Sequence, residues 1–266
     1  TEAIAASLLA IVSAGDEVIL LEPMYDAYRP LVERAGGMAR AVTMRPPDWR
    51  LPIGEVAAAI GPRTRAIVLN NPNNPTGRLF SRAELAELAE LCVAHDLVAI
   101  CDEVWEHVVF DGARHVPMIA LPGMAERAVK IGSAGKIFGL TGWKVGFVVA
   151  APRLLQPITR AHQFLTFTTP PCLQIAVARG LGLDDDFFAR SRTELERSRN
   201  YLSALLTAAG FAVLPSEGTY FLTVDLAASG VRGDDAALAR RLVHEAGVAS
   251  IPLSPFYMSD AAPRGL

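Results

Sequence analysis

Five short apolar runs punctuate the first 150 residues: EVILL (17–21), RAIVL (65–69), LVAIC (97–101), AVKI (128–131) and VGFVVA (145–150). None shows the polar–apolar alternation of a strand that buries a single face. Continuous runs of this length suit strands covered on both sides, as in a parallel sheet, and that requirement limits the architectures open to the chain. Helical segments lie between several of the runs. The clearest spans 81–95, where Ser81 and Glu84 form a capping box and Leu85, Leu88, Leu91 and Cys92 fall on one stripe. Strands alternating with helices predict βαβ units, hence an α/β fold with a mostly parallel, doubly wound sheet and helices on both faces.

Near residue 152 the pattern changes. A mostly apolar helical region over 152–180 is interrupted at Pro170–Pro171, and a charged amphipathic helix follows over 185–209, with Asp184–Asp186 at its capped start. Strand-like FAVL (211–214) and TYFLTVDL (219–226), a helix over 234–246 and the run VASIPL (248–253) complete a smaller α+β unit. The chain therefore divides into a large unit, 1–175, and a small one, 176–266. It opens on TEAIAASLLA, already inside a helical pattern, so a segment is expected in front of it.

A formal charge of −3 and a pI near 6.0 leave no basic footprint and argue against nucleic acid as the main partner. The apolar stretch 3–12 is about half the length of a membrane span, so no membrane partner is expected. Cys92, Cys101 and Cys172 are scattered singly, which predicts packing roles and a reducing, cytoplasmic setting. The five histidines show no metal spacing, and no metal is expected.

Unusual residues follow directly on the carboxyl ends of four runs. EVILL leads into EPMYDAY with Tyr25, and RAIVL into NNPNNPTG with Asn74. Asp102 and Glu103 close LVAIC, while AVKI runs into GSAGK with Ser133 and Lys136. Open parallel sheets bind ligands outside the carboxyl ends of their strands. Each residue has an ordinary explanation alone: a packed ring, a rigid turn, a solvated amine. Asp102 does not, because a carboxylate closing a buried strand needs a cation or several donors.

A glycine-flanked lysine beside a strand-end aspartate suggests a phosphate-binding loop of the G-x-x-x-x-G-K-[ST] type. Here the first glycine position is Lys130 and the hydroxyl position is Ile137, so that reading fails twice. A pyridoxal 5′-phosphate site fits better. It requires a lysine amine for a Schiff base, an anion at the pyridinium nitrogen, a flat neighbour for the ring and donors for the phosphate. Lys136, Asp102, Tyr25 and the pair Ser133 and Lys144 supply these in turn.

The set GDEVILLEPMYDAY, NNPNNPTG, CDEVWEHVVFDG and SAGKIFGLTGWKVG resembles the class I aminotransferases of the fold-type I pyridoxal phosphate superfamily. With GTYFL and IPLSPFY further on, it is most similar to the kynurenine, glutamine and methionine aminotransferase group, from residue 1 to about 258. The resemblance implies a homodimeric enzyme that moves an amino group between an L-amino acid and a 2-oxo acid by a ping-pong route. Its substrate would be hydrophobic, aromatic or sulfur-containing. The rival readings are a β-lyase acting on cysteine conjugates and a cofactor-binding regulatory domain without catalysis.

By the same resemblance Lys136 is the Schiff-base lysine and proton shuttle, Asp102 bonds the ring nitrogen, and Tyr25 stacks on the ring. Asn74 donates to the phenolic oxygen near the substrate carboxylate, while Ser133, Lys144 and the backbone of Thr1 hold the phosphate. Three departures stand out. Trp105 occupies a position that is usually tyrosine, so an indole N–H replaces a hydroxyl beside the phenolic oxygen. By the resemblance, the helix-opening segment and the N-terminal arm that closes over the substrate would lie in front of Thr1. The arginine that grips the substrate carboxylate falls beyond PRGL, with Arg264 too early for that role. The small unit thus reads as truncated, and this chain by itself is expected to bind cofactor but transaminate poorly.

Overall fold

The computed structural model describes residues 1–258. At its centre is a six-stranded sheet ordered β2-β1-β3-β4-β5-β6. The strands are β1 (Glu17–Glu22), β2 (Met38–Thr43), β3 (Thr64–Asn70), β4 (Val98–Asp102), β5 (Ala128–Ser133) and β6 (Gly146–Ala150). The first five run parallel, and β6 pairs antiparallel with β5. All five apolar runs are strands. β2 is an addition the sequence pattern did not announce: MARAVT lies at the sheet edge, its first residues alternately exposed and half-buried.

The helices are α1 (Glu2–Ile11), α2 (Tyr28–Arg34), α3 (Ile53–Ala59), α4 (Arg82–Ala94), α5 (Ala134–Ile137), α6 (Pro152–Leu165), α7 (Pro171–Leu181), α8 (Asp185–Ala208) and α9 (Asp235–Arg241). The period-two pleat sorts the strand residues into two cores. Ile19, Leu21, Ile67, Leu69, Ala99 and Cys101 face Leu85, Leu88 and Cys92 of α4, together with Trp49 and Met118. Val18, Leu20, Ala66, Val68, Val98 and Ile100 face Ile4 and Leu8 of α1, Val32 of α2, and Leu154 and Ile158 of α6. Burying each such side chain contributes about 1.5–3 kcal/mol, so a strand covered on both sides gains from every residue rather than every second one. The capping box of α4 is formed: Glu84 N donates to Ser81 Oγ at 3.2 Å, and Ser81 N donates to Glu84 Oε2 at 2.8 Å.

Beyond the sheet, α8 starts on Asp184, whose carboxylate accepts from Phe187 N at 3.0 Å, and it buries none of its residues. β7 (Ala212–Val213) and β8 (Val224–Asp225) form a two-stranded antiparallel pair, so the strand expected over 219–226 narrows to its end. The run at 248–253 forms no strand. No third strand joins the β7–β8 pair among the described residues, and Val248 and Ile251 remain 53% and 66% exposed. Backbone polar groups without ladder partners stay with solvent. No described helix is long and apolar enough to cross a membrane.

The segment after β7 is fastened to the loop that follows β3. Glu217 N and Gly218 N both donate to Gly77 O, at 2.8 and 2.9 Å, and Arg78 Nη1 bonds Glu217 Oε2 at 2.5 Å. Gly77 has φ +71°, and a Cβ there would lie 2.2 Å from Ser216 Oγ, so glycine is required by both backbone and space. This joint brings Tyr220 to the sheet edge.

Candidate active site

Parallel strands direct their carboxyl ends to one edge, and there β3, β4, β5 and the segment after β1 border a cavity of about 770 Å³. Thr1, Tyr25, Asn74, Asp102, Trp105, Ser133, Lys136 and Lys144 all line it. Arg264 lies outside the described residues.

Asp102, the last residue of β4, is 6% exposed. Tyr28 Oη donates to its Oδ2 at 2.6 Å, while Oδ1 receives a long bond of 3.4 Å from Val104 N. Burial holds its carboxyl above the usual range, against the opposing pull of the Tyr28 hydroxyl and, more weakly, of Lys136. Its main-chain carbonyl accepts from Asn70 Nδ2 at 2.8 Å and from Asn71 N at 3.1 Å. Asn70 Oδ1 then takes Asn74 N at 2.6 Å, and Asn73 Oδ1 takes the Thr76 hydroxyl at 2.7 Å. Most of the asparagine-rich loop is therefore spent on its own geometry. The Asn74 side chain is left over: it makes no hydrogen bond among the described residues and lines the cavity.

Lys136 sits in the single turn α5, directly after β5. Its half-buried amine donates to Tyr220 Oη at 2.9 Å and lies 4.6 Å from the centre of the Trp105 ring. Tyr220 meets Trp105 edge-on at 4.4 Å. Trp105 thus presents a ring face to the lysine amine. A Cβ on Gly135 would lie 3.1 Å from Thr141 Cα, so the small residue lets the following loop fold back and bring Lys144 to the cavity. Lys144 is exposed, and neither its amine nor the Ser133 hydroxyl has a partner among the described residues. Tyr25 stands edge-on to Tyr28 at 5.7 Å, with its hydroxyl 3.4 Å from Thr1 Oγ1. Tyr28 and Tyr220 are the site residues that sequence reasoning missed. Both lie in stretches already singled out, EPMYDAY and GTYFL, but their partners are 74 and 84 positions away.

Next to Asp102, the buried Glu103 and the half-buried Glu106, His115 and Lys130 form a cluster of titratable groups. Lys130 bonds Glu106 and stands 3.8 Å from Glu103 Oε2, while Glu103 Oε1 accepts from Met118 N at 2.9 Å. Burial pushes Glu103 up to about 7 and His115 down to about 4. Since the folded value of Glu103 exceeds its ordinary 4.5, its proton contributes stability that is complete below that pH and lost as pH rises to about 7. Lys130 neutralises what remains. Lys130→Met is expected to cost about 3 kcal/mol at pH 8 and distinctly less at pH 5, where Glu103 takes up a proton. Urea denaturation at the two pH values measures this; equal losses would refute it.

A mostly parallel doubly wound sheet with lysine and aspartate at its carboxyl edge has the architecture of the fold-type I transferases. A family model described as "Aminotransferase class I and II" matches residues 1–264, and the chain belongs to that family. Class I aminotransferases use pyridoxal 5′-phosphate. The chain is 44% identical over 258 residues to a protein of Mycobacterium tuberculosis named probable N-succinyldiaminopimelate aminotransferase DapC, covering 96% of this chain and 65% of that one. It is 38% identical over 266 residues to the methionine aminotransferase of Escherichia coli, covering all of this chain and 68% of that one. Among solved structures, the N-succinyldiaminopimelate aminotransferase of Mycobacterium tuberculosis superposes with a TM-score of 0.94 at 43% identity, over 97% of this chain and 68% of that one. The chain thus spans about two thirds of the length of the curated relatives it matches.

Proposed function

We propose that the protein is a pyridoxal 5′-phosphate-dependent aminotransferase, moving an amino group between an L-amino acid and a 2-oxo acid in two half-reactions. The observation that carries this reading is the convergence of Tyr25, Asn74, Asp102 and Lys136, from four strand ends, on one cavity. The donor set fits the cofactor. Among the described residues, Asp102 is buried with one oxygen weakly satisfied, Asn74, Ser133 and Lys144 line the cavity without side-chain hydrogen-bond partners, and the Lys136 amine is held by one hydrogen bond.

When bound, the cofactor supplies an electron sink for the substrate α-carbon. The protein's part is to bind, orient and move a proton. Lys136 would carry the cofactor covalently and, once displaced by substrate, pass the proton at the α-carbon. Asp102 would accept the ring N–H bond, which also compensates a buried carboxylate. Tyr25 would cover the ring, Asn74 and Trp105 would face its phenolic oxygen, and Ser133, Lys144 and the Thr1 backbone would hold the phosphate.

For the substrate we favour a hydrophobic, aromatic or sulfur-containing amino acid. Ile4, Val148, Leu155 and Ile158 give the cavity an apolar wall. That wall favours the chemistry named for the methionine relative over the N-succinyldiaminopimelate named for the mycobacterial one. A homodimer is the assembly we expect, since Phe164, Phe167 and Ile175 around the α6–α7 junction are 87%, 73% and 57% exposed.

The test is borohydride reduction of the cofactor-loaded protein followed by peptide mapping. A pyridoxyl group on Lys136 is the expected result, and an untagged, colourless protein would overturn the reading. Measuring pyruvate and ammonia beside oxo-acid-dependent turnover separates transfer from β-elimination.

A further inference from the structure

Tyr28 opens α2 and is 2% exposed, with its ring in the core beside Val32. Only its hydroxyl leaves that apolar setting, and it ends on Asp102 Oδ2 at 2.6 Å. A buried phenol needs a partner, but this one has taken the carboxylate at the cavity wall. The other carboxylate oxygen has a single long bond, from Val104 N at 3.4 Å. Tyr28 therefore divides the labour of the two oxygens: Oδ2 is committed to the protein and Oδ1 is left for a ligand.

Two physical consequences follow. A carboxylate with one oxygen pinned cannot rotate to offer its edge indifferently, so the direction of Oδ1 is set before anything binds. A hydroxyl donor also favours the ionised carboxylate over the protonated one, against the burial that pushes the other way. Both act on the group that the proposed function assigns to the cofactor ring nitrogen. We propose that Tyr28 is a positioning residue for the cofactor: its hydroxyl holds Oδ2 and leaves Oδ1 aimed at the ring nitrogen.

The inference rests on the aminotransferase reading and is separable from it by a cofactor analogue. In 1-deazapyridoxal 5′-phosphate a carbon replaces the ring nitrogen, so nothing remains for Asp102 to hold. Tyr28→Phe keeps the ring and its core contacts. It is expected to weaken pyridoxal phosphate about tenfold, the loss of one hydrogen bond to a charged group, and to leave the deaza analogue unchanged. The acid limb of cofactor retention should move up by about one pH unit.

A merely structural tyrosine would weaken both ligands equally, and that result would overturn the proposal, as would no change with either. In an Asp102→Asn background Tyr28→Phe should have no effect on pyridoxal phosphate affinity, which closes the cycle if the single variant folds poorly; a tenfold loss there would also overturn it. If the parent protein takes no pyridoxyl tag on Lys136, the functional reading itself has failed. If it is tagged and Tyr28→Phe behaves as the parent, only this inference has.

Discussion

Lys136→Ala is expected to fold like the parent, to release pyridoxal phosphate on dialysis, and to lose amino-group transfer by about 10²–10⁴-fold from the missing proton transfer alone. The fold survives because the amine is held by one hydrogen bond to Tyr220 at 2.9 Å and by the Trp105 and Tyr220 ring faces at 4.6 and 5.1 Å. A cation over aromatic faces at a partly exposed site contributes about 0.5–1 kcal/mol. Its loss is small beside the stability of a domain. On the proposed reading the site would lose two things at once, the covalent hold on the cofactor and the group that carries the proton. Dialysis followed by an absorbance spectrum reads the first, and single-turnover consumption of an amino acid reads the second. Covalently retained cofactor in Lys136→Ala would mean that another lysine does this work.

Asp102→Asn should separate stability from function in opposite directions. The amide is nearly isosteric, and its oxygen still accepts from Tyr28, so the packing around β4 is kept. Losing the charge would remove the proposed charge-assisted bond to the ring nitrogen, worth about 1.5–3 kcal/mol, so cofactor affinity should fall by about 10–100-fold. The cofactor-free protein should respond the other way. Burial raises the Asp102 carboxyl above its ordinary 3.8, so the aspartate's contribution is complete below that pH and lost as pH rises through the folded value. At pH 7 the cofactor-free Asn variant is therefore expected to be the more stable, by about 0.5–2 kcal/mol. The gap should close as pH falls toward 4. Thermal unfolding of both apo proteins across that range decides the matter, and a less stable variant at pH 7 would contradict it.

Several features were legible because they depend on neighbours in the chain. EVILL and LVAIC are buried throughout, which a run without polar interruption announces. Ser81 and Glu84 cap α4 through contacts three residues apart. NNPNNPTG reads as a rigid loop, and the hydrogen bonds of Asn70 and Asn73 make it one. MARAVT was not legible, because an edge strand with half-open residues resembles any mixed segment. VASIPL left its conformation open: its β-branched and apolar residues suit a strand, but no neighbour offers a ladder among the described residues. The roles of Tyr28 and Tyr220 were hidden for one reason. A tyrosine's pattern of neighbours does not reveal which oxygen its hydroxyl will meet.

From the sequence alone came the α/β class, the family and the set of strand-end residues, because apolar periodicity and short motifs are local properties. Tertiary structure decided how those residues are used. Pairing of β3 with β4 brings Asn70 to the Asp102 carbonyl, and the Gly77 joint carries Tyr220 to Lys136. α2 packs so that Tyr28 reaches one oxygen of a single carboxylate. Such contacts join residues 74 or 84 positions apart, and their formation depends on the packing of whole elements rather than on any local preference of the chain.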